Sequence, residues 1–454
     1  MNRVPRNIDV ASLLDQRKLS PFNYKLILLS WLITAFDGLD IQMVAFTAPY
    51  MRDEMGLTKG DLSWVFGGGT IGMVLGGLIF SNIGDRIGRR STVIFCALAF
   101  GLLTVATSYA PSFHALVALR FLTGMAGGGM LPLAWALNIE FVPQRMRGTV
   151  VAIIMMGYSI GSACSGPLTN LIAPTYGWQG VYLTGGIGAL VCAGLLLAFL
   201  PESVRFLAAK GMRPALIART LKRVDPSLDV GPGDTFYAGG EKTAPQFRFG
   251  QLFEGDLALI TPLLWLTYFA SSLAIYFGSS WGPLVLEELH IPRSTSAITA
   301  SIGGLCGACA GIVLMRITDR HGPRSVSLFP AIAVPVLLLL GFGYVPDAIF
   351  LGVVVLQAIL IGGGHSAVIS ISGVFYPSAI RASGGGFVAS IGKSGGVIGS
   401  MIGAVILGGG PVIRSYAYIA ICPLVICIGI LSIATVVRGR VRHEVPPLDV
   451  VPAS

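Results

Sequence analysis

The sequence predicts an all-α integral membrane protein with twelve transmembrane helices, arranged as two pseudo-symmetric bundles of six. Three observations predict this fold class: the composition, the number of apolar runs and an internal duplication. Of the 454 residues, 54% are hydrophobic and only 12% are charged, whereas a soluble globular protein carries about 25% charged residues. So few charges cannot solvate a surface of this size, and the apolar content excludes a disordered chain.

Other classes of protein fit the sequence poorly. The net charge of +9 could indicate a nucleic-acid partner, but that needs basic faces for which the apolar content leaves little room. The seven cysteines are odd in number and lie in apolar stretches, which argues against a disulfide framework. Cys306 and Cys309 form a C-x-x-C without a second ligand pair or a nearby histidine, so no metal site is expected. No nucleophile–base pair is visible either, and we do not expect an enzyme.

The apolar runs set the organisation of the chain. A helix that crosses a bilayer needs about 20 mainly apolar residues. Twelve such runs are present, at about 26–50, 62–83, 91–109, 115–139, 149–173, 180–200, 257–286, 297–317, 325–344, 348–375, 384–408 and 411–437. They predict an N-terminal segment 1–25, a first bundle 26–200, a central loop 201–256, a second bundle 257–437 and a tail 438–454. Residues 1–25 are too polar for a cleaved signal peptide.

Two further expectations come from composition within these parts. Glycine runs inside the spans predict close contacts between helices. Residues 204–224 of the central loop mix apolar and basic positions, which predicts a segment on the cytoplasmic membrane surface.

The distribution of Lys and Arg predicts the orientation. One face collects 25 of them in loops and termini, and the opposite face has only Arg52, Lys59, Arg293 and Arg414. Because cytoplasmic loops carry the excess of positive residues, both termini and the central loop are expected to be cytoplasmic.

The two halves repeat each other at a fixed offset of 234 residues. Asp85 corresponds to Asp319 and Arg147 to Arg381 at this offset, although the two pairs lie in separate loops. Such agreement indicates a duplication in one orientation, about an axis along the membrane normal, which is a transporter architecture. The repeated turn contains Gly84, Asp85, Arg86, Gly88, Arg89 and Arg90 in the first half and Asp319 and Arg320 in the second.

Each residue type in this turn has a physical reason. Gly84 and Gly88 allow a tight reversal between antiparallel spans, and the arginines hold the loop on the cytoplasmic side. Asp85 is placed to pair with a loop arginine or with the N-terminus of a neighbouring helix. A generic basic loop would explain the arginines but not the repetition.

Charges inside the first bundle predict a proton-coupling group. Asp37 and Asp40 are three residues apart and share one face of the first span. Two such carboxylates in a poorly solvated cavity do not both ionise easily, so the pair is able to hold a proton. Arg120 of the fourth span lies at a depth that differs from that of Asp40 by roughly 6 Å, which predicts an ion pair. The alternatives are an aspartate that caps a helix interrupted at Gly38 and a purely structural arginine.

Charges in the second bundle predict a substrate contact. Lys393 lies in the eleventh predicted span, and no carboxylate lies in the predicted spans of this half, so it invites an anionic ligand. The alternative is a lysine that snorkels to the cytoplasmic edge. His365 of the tenth span either contacts the ligand or packs against a neighbouring helix. Glu140 ends the fourth span beside Arg145 and Arg147, which predicts a cytoplasmic gate network rather than a ligand contact.

The repeated turn GDRIGRR resembles that of the major facilitator superfamily, and the resemblance implies two six-helix bundles around a central cavity with alternating access. The opening stretch DVASLLDQRKLSPFNYKLILLSWLITAFDGLDIQMVAFTAPYM, with RFLTGMAGGGMLP, YGWQGVYLTGG, PESVRFL and FYPSAIRASGGGFVASIGKSGG, is similar to the aromatic acid:proton symporter family. This resemblance implies uptake of a benzoate-type or hydroxybenzoate-type carboxylate by proton symport. The family's essential charged positions correspond to Asp37, Asp40, Arg120, Glu140 and the cation at Lys393.

We expect a multi-pass, monomeric protein of a bacterial-type inner membrane. No ATP-binding motif is visible, so the proton gradient is the expected energy source and no cofactor is expected. The sequence departs from the family pattern at two places. The family commonly has arginine where this chain has Lys393, so a group that can bind a carboxylate through two hydrogen bonds is replaced by a point charge. Gly166-Pro167 partly resembles the antiporter motif of drug exporters. A proton-coupled exporter of drugs or organic cations is therefore the main alternative, and a transporter-like receptor is a second one.

Overall fold

The computed structural model of the chain describes residues 6–15, 19–231, 234–237, 248–371, 375–377 and 380–444, which are mainly helical. The elements up to the central loop are β1 Asn7–Asp9, α1 Val10–Asp15, α2 Pro21–Met55, α3 Lys59–Ile87, α4 Arg89–Thr107, α5 Phe113–Phe141, α6 Arg147–Phe199, α7 Val204–Ala209 and α8 Pro214–Val224. The later elements are β2 Thr235–Tyr237, α9 Leu257–Glu288, α10 Arg293–His321, α11 Leu328–Gly341, α12 Asp347–Ile371, α13 Arg381–Met401, α14 Gly403–Gly408, α15 Arg414–Ile419 and α16 Ile421–Glu444.

Every predicted span overlaps a helix of the described ranges. Eleven helical stretches there are long and apolar enough to cross a membrane, and the longest, Gln144–Phe199, contains both the fifth and the sixth predicted span. Gly177 interrupts this stretch with φ 66° and ψ −177°, a conformation that is essentially restricted to glycine. One kinked element therefore supplies two spans.

Local sequence signals set the ends of the first two long helices. Gly56 ends α2 in the left-handed conformation with φ 66°, which costs glycine little. Thr58 then caps α3: its side chain accepts a hydrogen bond from the backbone N–H of Asp61, and Asp61 returns a contact to the Thr58 backbone.

The duplicated turn uses the second of its two glycines for the reversal. Gly88 separates α3 from α4 with φ 116°, and its counterpart Gly322, 234 residues later, follows α10 with φ 84°. The expectation that Gly84 also serves the reversal is wrong, because Gly84 is helical and buried in α3. A Cβ at Gly84 would meet the Leu133 side chain, so this glycine permits close contact between α3 and α5.

Glycines inside the spans bring helices together, as the runs predict. Cβ atoms at Gly72 and Gly76 of α3 would collide with the backbone carbonyls of Phe121 and Met125 in α5. Gly161 of α6 meets the backbone of Ala35 in α2 in the same way. Backbone contact of this kind is available only to the smallest residues, so the position of α5 beside α3 depends on them.

The described parts of the central loop and of the N-terminal segment fold together into a small cap. β1 pairs with β2 in parallel, with Asn7 opposite Thr235. The apolar faces of α7 and α8 are buried in one core with α1 and the ends of the long helices; its members from the cap include Val10, Leu14, Val204, Leu207, Ile217, Leu221, Val224 and Phe236. The expectation that residues 204–224 lie on the membrane surface is therefore wrong for their apolar side, which protein covers.

The chain divides into two compact units. The first consists of Met1–Thr243, Ser279–Leu305 and Ser400–Gly408, and the second of Ala244–Gly278, Cys306–Gly399 and Gly409–Ser454. The first unit thus holds the six N-terminal spans together with the end of α9 and the beginning of α10. The second unit has its own apolar core, which includes Leu252, Ile260, Leu264, Tyr376, Val388 and Ile433.

Candidate functional site

A buried ion pair joins α2 to α5 in the first unit. Nη1 of Arg120 donates to both carboxylate oxygens of Asp40 at 3.0 Å each. The side chains are only 4% and 5% exposed. The ion pair that the depths of the two residues predict is therefore present. Removing one partner of such a pair typically costs about 3–5 kcal/mol, because the other charge is left buried and alone.

Asp37 lies beside this pair but is not part of it. It is 3% exposed, and its Oδ2 has no hydrogen-bond partner among the described residues. Its Oδ1 occupies the space over Gly127 of α5, where a Cβ would come within 2.8 Å. Asp37, Asp40 and Arg120 together contain two carboxylates and one cation. Since Arg120 is paired with Asp40, Asp37 has no cation of its own in this group. It has the composition to take up one proton.

Tyr182 of α6 completes the surroundings of Arg120. The guanidinium carbon lies 5.8 Å from the centroid of the fully buried Tyr182 ring, within the range of a cation–π contact. Trp178 packs edge-on against the same ring at 5.9 Å. Sequence reasoning missed Tyr182 because it carries no charge and has no diagnostic spacing. The only available signal was its place in the stretch YGWQGVYLTGG.

Polar contacts fix the register between α2 and α5. Asn23 donates from Nδ2 to the Phe141 carbonyl at 2.7 Å, and Asn138 donates from Nδ2 to the Ser30 hydroxyl at 2.6 Å. Together with Arg120 and Asp40, these contacts show that the residue numbers rise along α2 as they fall along α5. The helices are antiparallel, and these three contacts define which levels of α2 and α5 lie side by side.

Lys393 lies in the second unit without a carboxylate partner. It is in α13, and its side chain is partly buried. No acidic side chain in the described part of the chain forms an ion pair with it. Gly392, the preceding residue, packs directly against the ring of Tyr268 from α9. The aromatic ring of Tyr268 therefore packs against α13 at the residue before the cation Lys393.

His365 links α12 to α9. Its Nδ1 is 2.9 Å from the Ser271 hydroxyl, and its ring centroid is 5.8 Å from that of Tyr268. Packing against a neighbouring helix is therefore present. The Tyr268 ring therefore packs against His365 and against Gly392, the residue that precedes Lys393. Tyr268 and Ser271 were missed because uncharged residues of an apolar span carry no pattern.

Glu140 belongs to a network at the C-terminal end of α5, the end that the charge bias predicts to be cytoplasmic. It is 4% exposed and pairs with Nη1 of Arg89, and its other oxygen accepts a hydrogen bond from the Ser203 hydroxyl. Arg89 also pairs with Asp85 at 3.2 Å, so the turn motif, the end of α5 and the start of α7 share one network.

Arg147, one of the two arginines expected near Glu140, has other partners. Arg147 pairs with Asp15 at 3.4 Å and donates to the Val142 carbonyl. The interpretation of Glu140 as a neighbour of Arg145 and Arg147 is therefore corrected to Arg89, because α5 ends and the chain turns before Arg147.

The other motif residues are placed as follows. Arg90 donates to the carbonyls of Leu200 and Leu197 at the end of α6, at 2.6 and 2.8 Å. Arg381 donates to the Tyr376 carbonyl at 3.3 Å. The exposed side chains of Arg86, Asp319 and Arg320 form no ion pair within the described ranges.

The end of α2 carries ion pairs to α9 and α10 inside the first unit. Arg52 and Arg293 both pair with Glu287, at 3.0 and 2.9 Å, and Arg293 also pairs with Asp53. A separate pair joins Lys59 to Glu288 at 2.7 Å. Three of the four cations that the charge bias places outside are therefore committed to acids. Gly166 adds a further contact, because a Cβ there would meet Ala297 and Ser301 of α10.

We expect Arg293→Gln to loosen this outer end, because Glu287 and Asp53 then share only Arg52. A cysteine at Thr169, which is 1% exposed, would report the change in a background without the seven native cysteines. Its labelling by a membrane-impermeant thiol reagent should become severalfold faster. Arg414→Gln is the control, since Arg414 is exposed and forms no ion pair with the described residues. Equal labelling rates in both variants would contradict the prediction.

Comparisons with known proteins agree with this architecture. The Major Facilitator Superfamily matches residues 30–226 and 264–452. The 4-hydroxybenzoate transporter PcaK of Pseudomonas putida is 29% identical over 443 residues, which cover 97% of this chain and 98% of that protein. A gallate transporter of the same organism is 30% identical, with 88% and 89% covered. The partially occluded, inward-open xylose transporter XylE of Escherichia coli superposes with a TM-score of 0.72 at 16% identity, with 91% and 98% covered.

The fold and the extent of these matches together identify the family of this chain. The XylE likeness concerns the fold alone, while the superfamily match and the relatives extend over both halves of the sequence. The chain is a multi-pass membrane protein and belongs to the Major Facilitator Superfamily.

Proposed function

We propose that this protein imports a hydroxylated aromatic carboxylate together with protons across the inner membrane. Relatives that are named as transporters of 4-hydroxybenzoate and of gallate align with nearly all of the chain, and both compounds are aromatic acids with ring hydroxyl groups. The coupling to protons rests on the residues of the first unit rather than on those names.

The distribution of charge within the spans carries the proposal. Asp37, Asp40 and Arg120 leave one carboxylate without a cation, and this carboxylate is buried. Lys393 leaves one cation without a carboxylate in the described part of the chain. A buried carboxylate without a cation is stabilised by a proton, and a lysine in a poorly solvated place is stabilised by an anion. A proton would neutralise the Asp37 carboxylate, and an organic anion would neutralise the Lys393 ammonium group.

Each group then has a defined role in transport. Asp37 binds and releases the proton, while Asp40 keeps Arg120 neutralised through the cycle. Lys393 binds the carboxylate of the substrate, and the Tyr268 ring, which packs against the adjacent Gly392, supplies an apolar wall for the substrate ring. The substrate crosses the membrane covalently unchanged. The proton gradient is the only energy source that the proposal requires, with no cofactor.

Uptake into proteoliposomes tests this proposal. The purified protein would be reconstituted and offered 4-hydroxybenzoate, gallate, benzoate, succinate and a lipophilic organic cation, with and without an imposed inward proton gradient. We expect accumulation of the aromatic acids, stimulated by the gradient, and acidification of the interior that follows uptake. Liposomes with the Asp37→Asn protein are the control for passive entry of the protonated acids.

Three other results would contradict the proposal. Uptake of succinate alone would remove the aromatic assignment. Movement of the organic cation against the proton flow would instead support the exporter, for which Gly166-Pro167 is the sequence feature. Saturable binding of an aromatic acid without any flux would support the receptor.

A further inference from the structure

The hydroxyl of Thr123 differs from those of other buried threonines in the first unit. In a membrane helix, a threonine usually donates to the carbonyl four residues earlier. Six buried threonines do so at 2.7–2.9 Å, namely Thr34, Thr47, Thr92, Thr104, Thr107 and Thr169. Thr123 is 0% exposed, and its Oγ1 has no partner among the described residues. Its hydroxyl is therefore free for another group.

The register of α2 and α5 places Thr123 at the level of Asp37. Asp40 pairs with Arg120, and the helices are antiparallel, so one turn inward leads from Asp40 to Asp37 and from Arg120 to Thr123. Both steps are three residues, or about 4.5 Å. The contact of Asp37 Oδ1 with the site of Gly127, four residues beyond Thr123, shows that Asp37 faces this side of α5. The Oδ2 of Asp37 also lacks a partner within the described ranges, so in this structure this atom and Oγ1 of Thr123 lie at one level without a hydrogen bond between them.

A hydroxyl is suited to a carboxyl that changes its protonation state. It donates a hydrogen bond to an ionised carboxylate and accepts one from a protonated carboxyl, after a rotation about one bond. A guanidinium can only donate, so Arg120 cannot serve both states. Since hydrogen bonds to an ionised group are about twice as strong as neutral ones, the hydroxyl favours the ionised form and thereby helps release of the proton.

We infer that Thr123 is a positioning residue of the proton-coupling site, whose hydroxyl is the hydrogen-bond partner of the Asp37 carboxyl during proton binding and release. The inference rests on the proposed function, because it assigns the carried proton to Asp37. It adds an uncharged residue to the group of Asp37, Asp40 and Arg120.

Thr123→Val tests the inference, because valine keeps the shape of threonine and lacks the hydroxyl. Two activities would be measured in proteoliposomes: exchange of labelled for unlabelled 4-hydroxybenzoate at equal pH on both sides, and net uptake as a function of internal pH. We expect near-normal exchange. The internal pH that supports half-maximal net uptake should rise by about one unit, and Thr123→Ser should restore the wild-type profile.

Thr104→Val is the matched control, since Thr104 is equally buried but bonds to the Phe100 carbonyl. The groups that face Asp37 and could also shift the profile are Asp40, Arg120 and Tyr182, and none of them is altered. A wild-type pH profile in Thr123→Val would overturn the inference. So would a parallel loss of exchange and net uptake at normal membrane levels, which indicates a structural role.

A spectroscopic measurement gives an independent answer. The infrared C=O stretch of the protonated Asp37 carboxyl can be assigned by its absence in Asp37→Asn. It should shift in Thr123→Val and return in Thr123→Ser, and an unchanged band would overturn the inference. Thr123→Ala repeats both measurements should the valine variant fail to insert. If the wild-type protein shows no exchange of aromatic acids, the proposed function fails instead.

Discussion

Asp37→Asn is expected to abolish accumulation of the substrate while the protein stays folded in the membrane. Asparagine has the shape of aspartate but cannot bind and release a proton, and the ion pair of Asp40 with Arg120 is untouched. For each proton carried per anion, one unit of pH gradient sustains about a tenfold accumulation. We expect this ratio to fall to about one in the variant, measured as gradient-driven uptake into proteoliposomes.

Asp347→Asn is the control for this experiment, because Asp347 is an exposed acid in the first turn of α12. It should accumulate substrate normally. Asp40→Asn should behave differently from Asp37→Asn, since it leaves the Arg120 charge buried without its partner and so lowers the amount of folded protein as well. Normal gradient-driven uptake by Asp37→Asn would remove Asp37 from the coupling group.

Lys393→Ala is expected to weaken the apparent affinity for aromatic carboxylates by tenfold to a hundredfold. A hydrogen bond to a charged partner contributes about 1.5–3 kcal/mol, and each 1.4 kcal/mol is a factor of ten. Lys393→Arg should retain part of the affinity, because it keeps the charge but changes its geometry. The measurement is the concentration dependence of exchange, with KM and maximal rate determined separately.

The control is Lys222→Ala, which removes an exposed lysine of α8 that forms no ion pair with the described residues. It should leave both constants unchanged. An unaltered KM in Lys393→Ala would rule out contact between this lysine and the substrate, and Lys393 would then be a lysine that extends to the edge of the membrane.

The sequence was sufficient to predict the spans and their duplication, but it was not sufficient to predict which residues form the turns between spans. The lengths of apolar runs are fixed by the thickness of the bilayer, which is why even the two spans joined at Gly177 are recognisable as separate runs. The distinction between Gly84 and Gly88 could not be made, since both are glycines of one short sequence motif. Only the packing of Leu133 against Gly84 shows that the first is needed for contact and the second for its positive φ.

The charged members of the candidate site were predictable because a charge in hydrocarbon is costly and therefore rare. Asp40 and Arg120 could be paired from their depths alone. Glu140 was assigned to the wrong arginines, because proximity in sequence does not show where a helix ends. Tyr182, Thr123 and Ser271 could not be found in this way: an uncharged residue of a span is informative only when its neighbours on other helices are known.

The pairing of β1 with β2 has a consequence for biosynthesis. Asn7 and Thr235 lie opposite each other, yet more than two hundred residues separate them in the chain. At a translation rate of about 5–20 residues per second, the second strand leaves the ribosome roughly ten to fifty seconds after the first. The N-terminal strand must therefore wait unpaired while six spans are inserted. Formation of the cap is a late event that takes place only after the whole first half has been synthesised.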